Sequence, residues 1–313
     1  MQNKPLQSVG GMTIIQISPT DPDFGAAFSF ALSGQQEASR DLEAHCRNVE
    51  AMSRTSGVIP SVFVATDDRR GIQAAALVFE SPGRSALVHL GPKALNDDAP
   101  LIITDAVIKH ARTRKLNLLQ TLLQPGDTRR ARMMADMQFQ YLAELIYMDC
   151  PIANSDTREP ELECQFRLFN YDAETETMFL RALEESYKDS LDCPALTPLR
   201  TPADALAGHK ATGIFDPSGF YVIAENDEPV AVLLTARVVD RLALEVVYMG
   251  VSSSGRRRGL GTLMLSLAKR RTQVLGLSSV TLAVDAINTP ARRLYERSGF
   301  GERARRRAWI RCI

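Results

Sequence analysis

The sequence predicts a mixed α+β chain built from two like halves. Three observations carry that prediction. The chain has 313 residues, more than one hydrophobic core ordinarily supports. Strand-like and helix-like stretches follow one another in an order that recurs about midway. A polar stretch with two prolines, PIANSDTREPELEC at 151–164, separates the two series. The expected domains are therefore residues 1–150 and 165–313, joined by a linker at 151–164.

In the second half, CQFRLFN is a strand, and DAETETMFLRALEESYKD and the residues after Thr201 have helical spacing. GFYVIAENDEPVAVLLTARVV is two apolar runs around a charged turn, which predicts a hairpin. RLALEVVYMGV is a further strand, and GLGTLMLSLAKRRTQVLG is an amphipathic helix ending at Gly276. SSVTLAVDA is a strand, TPARRLYERSG a helix with Thr289 as its cap and Pro290 at its first position, and RRRAWIRCI a closing strand. The crossover from Leu242 to Ala286 favours parallel pairing of its two strands.

The first half repeats the order. MTIIQIS is a strand, QQEASRDLEAHCRNVEAM a helix, and SVFVATDDRRGIQAAALVFES a hairpin that matches its counterpart at an offset of 159 residues. SALVHLG, LNLLQTLLQ and QYLAELIYMD are strands, with helices at PLIITDAVIKHARTRK and RRARMMADMQF. Phe139 stands 161 residues before Phe300. This is a duplication on the scale of a domain, not a short repeat.

Composition excludes several classes. Lys+Arg and Asp+Glu both number 37, so anion recognition, if present, is local. The N-terminal residues lack a signal pattern and no apolar run is long enough for a membrane helix, which predicts a cytoplasmic protein. Five scattered cysteines without a C-x-x-C pair fit a reduced compartment, with no disulfide framework. Four histidines without ligand spacing predict no metal.

The stretch GVSSSGRRRGLGTLML, residues 250–265, carries the chemistry. Gly259 and Gly261 leave the mouth of a helix bare, so unpartnered N–H groups and the helix dipole face outward and fit a pyrophosphate. Arg256, Arg257 and Arg258 add positive charge around it. The bland alternative is a solvated basic face or a nucleic-acid patch. The spacing is neither a Walker A loop nor a G-x-G-x-x-G fingerprint.

Arg256-x-x-Gly259-x-Gly261 resembles the acyl-CoA signature of the GNAT (N-acetyltransferase) superfamily. Downstream, NTPARRLYERSGF resembles that superfamily's N-x-x-A-x-x-L-Y-x-x-x-G-F segment at Asn288, Ala291, Leu294, Tyr295, Gly299 and Phe300. The resemblance implies tandem GNAT domains. Each would be a mixed, mostly antiparallel sheet flanked by helices, with a splayed central strand pair. It implies acetyl-CoA as co-substrate, held by backbone near Met249, Gly250 and Val251 and by the turn from Arg256 through Leu260 to Thr262. It implies Tyr295 as general acid, against a half-buried helix tyrosine. Asn288 would either bond the CoA arm or cap the helix. Glu245, a carboxylate in an apolar strand, is the candidate general base, against a residue on a solvent face. Asp189 and Asp192 fall in the loop that usually meets the acceptor and could attract an amine. The alternatives are a non-catalytic acyl-CoA-binding protein and a nucleic-acid binder.

In the first half, Glu245 aligns with Ala86, Arg256 with Asp97, Gly259 with Pro100, Gly261 with Ile102, Asn288 with Asp127 and Tyr295 with Met134. Base, acid and glycines are replaced, which predicts a half without a cofactor site. A duplicated chain of this kind resembles the mycothiol synthase branch, whose strand carries a glutamate five residues before Gly-Val, as Glu245 stands before Gly250-Val251. The acceptor, a small amine or a peptide N-terminus, is not specified by these motifs.

Overall fold

The computed structural model describes residues 5–9, 11–18, 20–32, 60–67, 71–91, 99–152, 162–238 and 241–313. The chain forms two compact units, Met1–Leu142 with Arg307–Ile313, and Ala143–Arg306. The boundary thus falls inside two strands rather than in the 151–164 stretch. Strands β7 (Gln140–Pro151) and β13 (Gly301–Cys312) are 12 residues each, and each gives part of its length to each unit. Alternation in sequence identifies a strand but not its partner, so this exchange leaves no local signal.

The first unit has strands β1 (Pro5–Val9), β2 (Met12–Ile17), β3 (Ser61–Asp67), β4 (Gly71–Ser81), β5 (Ser85–Leu90) and β6 (Leu118–Leu123), with residues 307–312 of β13 beside β6. All neighbours pair antiparallel except β5 and β6. Both faces are covered. Val62 and Val64 pack with Phe28 and Leu32 of α1 (Phe24–Leu32), whereas Phe63 and Ala65 pack with Ile103 and Val107 of α2 (Ala99–Thr113). Met134 of α3 (Thr128–Asp136) joins the second cluster. β1 and α1 escape the sequence reading. The run FGAAFSFAL has no polar face, so it shows no helical period. The helix expected at 35–52 and the aligned Asp97 lie outside the described residues.

The second unit follows the same plan. Its strand order is β13, β7, β12 (Ser279–Asp285), β11 (Ala243–Val251), β10 (Glu228–Arg237), β9 (Phe220–Glu225) and β8 (Phe166–Asn170). The β9–β10 hairpin turns on Asn226 and Asp227, with φ of 51° and 62°, the left-handed pair that matches strand twist. Helices α4 (Glu176–Tyr187) and α5 (Pro202–Lys210) cover one face, where Phe179, Leu183 and Leu206 meet Phe220, Val222, Val232 and Leu234. Helices α6 (Leu260–Val274) and α7 (Thr289–Arg297) cover the other, where Met264, Leu265 and Tyr295 meet Leu233, Val246 and Leu282. Thr201 opens α5 with a reciprocal capping box to Asp204.

The duplication survives in detail. The parallel β11–β12 ladder stops at Val246↔Leu282 while β11 runs on to Val251. The parallel β5–β6 ladder stops at Leu87↔Gln120 while β5 runs on to Leu90, and Leu87 and Val246 are 159 positions apart. Asp127 caps α3 by accepting from Arg130 N at 3.0 Å, and Asn288 caps α7 by accepting from Ala291 N at 3.3 Å. The α7 cap is therefore Asn288, not Thr289, and Pro290 stands second in the helix.

Candidate active site

The parted strands form the centre of the candidate site. Beyond Val246, β11 keeps only its antiparallel partner β10, through Leu234↔Tyr248 to Ala231↔Val251. A bulge at Val247, where the register jumps from Thr235↔Val246 to Leu234↔Tyr248, turns the strand away from β12. Backbone groups alternate between the two edges of a strand, so part of those at 247–251 face the vacated edge. Met249 and Val251 lie against the α6 cluster. Gly250 is required by close approach, since a Cβ there would sit 2.6 Å from Ser186 Oγ and 2.8 Å from Tyr248 Oη.

The arginine–glycine turn follows. Arg257 and Gly259 both have left-handed backbone, φ 62° and 78°. Such alternation curls successive N–H groups into a concave anion nest. Gly259 is the N-cap of α6 and supplies no side-chain cap, and the helix opens with Leu263 N–H donating to Gly259 O at 3.0 Å. Nothing lies within 4 Å of a Cβ built at Gly259, whereas one at Gly261 would meet Leu294 Cδ2 at 2.7 Å. One glycine thus leaves open space before the amides, and the other lets α6 close on α7. Leu260 is buried and Thr262 exposed.

The three arginines do not act alike. Arg258 is committed to a bidentate pair with Glu225, at 2.7 and 2.5 Å, and lies over the Phe166 ring at 4.9 Å. Arg256 donates to the Lys188 carbonyl at 2.6 Å, tying the turn to the end of α4. Arg257 is exposed.

Glu245 pairs with Thr281 one step before the strands part. Val246 faces α6, so Glu245 faces the opposite side of the sheet. Burial pushes its carboxyl pKa up, opposed by the Arg241 charge, and Tyr147 of β7 lies within its field. Tyr295, 7% exposed, packs at 5.9 Å from the Phe300 ring. Burial first, and the Asp192 charge second, drive its phenol pKa well above the ordinary range. A phenol so placed stays protonated.

The two loop aspartates separate. Asp189 is exposed, on left-handed backbone with φ 54°. Asp192 is exposed as a residue, yet the surrounding protein dehydrates its carboxyl and raises its pKa. Its Oδ1 accepts from Asp285 N at 2.9 Å, and Asp285 Oδ2 accepts from Cys193 N at 3.2 Å, a clasp between the loop and the end of β12. Cys193 is a raised-pKa thiol, held so chiefly by burial and then by Asp192. Among the described residues no group of three His, Cys, Asp or Glu side chains is placed to hold a metal.

Sequence reading missed a second polar group behind this clasp. Ser186, Tyr187, Arg200, His209 and Tyr248 gather from α4, the Pro194–Leu199 turn, α5 and β11. The Tyr248 ring stands 5.5 Å from Tyr187 and 5.4 Å from His209, and its hydroxyl lies 2.8 Å from Ser186 Oγ. Each of these residues falls in ordinary helical or loop context, so spacing gives no sign that they converge.

In the first unit, Ala86 and Met134 are buried in its core at the positions of Glu245 and Tyr295, and Ile102 packs against that core at the position of Gly261.

The strand pair thus parts beside an uncapped helix mouth. Residues 180–300 match the model of the acetyltransferase (GNAT) family, so the second unit holds a GNAT acetyltransferase domain. The chain is 38% identical over 105 residues to a mycothiol acetyltransferase of Mycobacteroides abscessus, covering 32% of this chain and 34% of that protein. It is 32% identical over 125 residues to the mycothiol acetyltransferase of Thermomonospora curvata, covering 40% of each. These matches span well under half of the relatives' length. The fold is that of the GCN5-related N-acetyltransferase from Sphaerobacter thermophilus, with a TM-score of 0.63, 16% identity, and coverage of 98% of this chain and 97% of that one. It is also that of a tandem GNAT protein from the clavulanic acid biosynthesis pathway, with a TM-score of 0.55, 12% identity, and coverage of 96% and 98%.

Proposed function

We propose that the chain is an acetyl-CoA-dependent N-acetyltransferase whose second unit transfers the acetyl group to a primary amine by direct attack in a ternary complex. The observation that carries the reading is the end of the β11–β12 ladder at Val246↔Leu282 beside an uncapped α6. The open β11 edge near Met249 and Val251 suits the amide-bearing arm of CoA, and the nest at Arg257–Thr262 suits its pyrophosphate. Arg257 supplies charge there, while Arg256 and Arg258 hold the turn in shape.

Glu245, dehydrated and therefore more basic than an ordinary carboxylate, takes a proton from the attacking amine, directly or through water. An N–H on the open β11 edge faces the thioester oxygen as charge builds on it. As the new C–N bond forms and the C–S bond breaks, Tyr295 delivers its phenolic proton to the departing sulfur. Burial, and after it the Asp192 charge, keep Tyr295 protonated until then. Asn288, already spent on capping α7, serves to place Tyr295 rather than to bind the CoA arm. The first unit, with Ala86, Ile102 and Met134 at the corresponding positions, binds no cofactor. The reading also places the protein in the cytoplasm. Among the described residues no helix is long and apolar enough to cross a membrane.

The test is thiol release from acetyl-CoA with a panel of primary amines, together with equilibrium titration of CoA. One CoA site per chain and amine-dependent release are expected. Two sites, or no release in the presence of tight CoA binding, would overturn the assignment.

A further inference from the structure

The polar cluster behind the Asp192 clasp contains a cation without a counterion. Arg200 is half-buried, its Nε is shut off from solvent, and that Nε has no hydrogen-bond partner. No carboxylate of the described residues lies within 4.0 Å of it. Its contact is the Tyr187 ring, 5.9 Å from Cζ. It stands close enough to the Tyr187 phenol to favour its ionised form against burial, yet not in hydrogen-bonding geometry. Tyr187 Oη and His209 Nε2 are likewise buried and unpartnered. His209 is neutral: burial first, then the Arg200 charge, hold its pKa down to about 3.

Shutting one N–H of a guanidinium off from water without a partner is costly, and so is each other unpaired buried donor or acceptor. Three such groups within one cluster leave hydrogen-bonding capacity that an anionic group would satisfy. Asp192 feels the Arg200 charge from beyond ion-pair distance, so the loop offers a negative group toward Tyr295 and a positive one farther in. That polarity matches a molecule with an amine at one end and an anion at the other.

We propose that Arg200, with Tyr187 and His209, is an anion subsite for the acceptor, so that the amine substrate also carries a carboxylate or phosphate group. This rests on the acetyltransferase reading above. Arg200 supplies the fork, Tyr187 a hydroxyl donor and His209 a ring N–H in the tautomer that presents it at Nε2. A neutral amine would leave all three unpaired.

The experiment compares matched amines: glycine and β-alanine against their carboxamides, and phosphoethanolamine against ethanolamine. Thiol release and thermal melts with and without CoA are both recorded. The expected result is that at least one anionic member exceeds its neutral match in kcat/KM by about ten- to a hundredfold, the value of a charge-assisted contact. In Arg200→Gln that ratio should fall toward one, with CoA affinity retained as the control for folding, and Arg200→Lys should recover part of it. The carboxylate and phosphate arms identify which anion is taken. Equal rates across all pairs, or a preference that survives Arg200→Gln, would overturn the subsite and leave the acetyltransferase reading standing. If no amine releases thiol, the melts decide. Stabilisation by an anionic probe in wild type but not in Arg200→Gln supports the subsite even if the reaction is not acetyl transfer, and no stabilisation by any probe sinks it.

Discussion

Replacing Gly261 by valine tests whether the helix mouth and Tyr295, the proposed proton donor, are one mechanical unit. Gly261 touches Leu294, and Leu294 precedes Tyr295 on α7. A Cβ at Gly261 would stand 2.7 Å from Leu294 Cδ2, nearer than van der Waals contact allows, and the two γ-methyls of valine add to the overlap. Helix propensity works the other way: valine is better than glycine within a helix by roughly 0.4 kcal/mol. Overpacking of a packed helix pair costs about 1–3 kcal/mol. The struck atom ends a half-buried side chain that can turn aside, so the clash should win narrowly, by about 0.5–1 kcal/mol net, and the melting temperature should fall by about 1–4 °C for a unit of this size. The assay is a thermal melt by circular dichroism on wild type, Gly261→Val, Leu294→Ala and the double variant. Shortening Leu294 removes the atom that the valine strikes, so Leu294→Ala should cost less in the valine background than alone. CoA affinity should fall in Gly261→Val and partly return in the double variant. Additive melting shifts, or a valine variant as stable as wild type, would refute the coupling of α6 to α7.

Four further outcomes follow from the charges. Glu245→Gln should abolish an acid limb in the kcat/KM profile that lies above the ordinary carboxylate range, because burial raises the wild-type pKa; since the folded state favours the protonated acid, the amide should also be slightly more stable at neutral pH, and lost activity with lost stability would count against the assignment. Tyr295→Phe should lower turnover by at least about tenfold while leaving CoA affinity nearly unchanged, as expected for a general acid; unaltered turnover removes it from the chemistry. Arg258→Gln should lower the melting temperature through loss of the Glu225 pair with little change in CoA affinity, and a large affinity loss at unchanged stability would return Arg258 to the cofactor. His209, neutral in the fold with a pKa of about 3 against an ordinary 6.5, binds a proton only on unfolding as pH falls below 6.5. Wild type should therefore lose up to about 1.4 kcal/mol more per pH unit than His209→Asn in denaturant titrations between pH 6 and 4, and equal slopes would show that the ring is not buried in its neutral form.

What could be read from the sequence follows from how local each signal is. The helix of 260–274, the Asn226–Asp227 hairpin and the Arg–Gly turn are set by residues adjacent in the chain, so periodicity and glycine placement reveal them. The duplication was legible for the same reason, and its register holds to the residue where the parallel ladders stop, Leu87 and Val246. What escaped depends on contacts between distant segments. A row of three arginines reads as one cationic patch, yet Glu225 and the Lys188 carbonyl draw two of them into structural roles. Asn288 was open between cap and ligand contact, and the equivalent cap at Asp127, in a unit whose other site residues are replaced, argues that the cap is the older duty.

The same comparison between units separates scaffold from chemistry. Both units keep the parted strands, the capped final helix and the buried phenylalanine at Phe139 and Phe300, so these features belong to the shared fold. At the positions aligned with its candidate site residues, the second unit departs from good packing. It places Glu245 where Ala86 is buried, a phenol where Met134 fills the core, and a bare helix start where Ile102 packs. Each departure carries a cost in dehydrated charge, lost apolar contact or backbone freedom. A duplicated chain that bears those costs in one copy and not at the aligned positions of the other is what the proposed acetyltransferase reading expects, and the unpartnered Arg200, Tyr187 and His209 are the proposed acceptor subsite beside them.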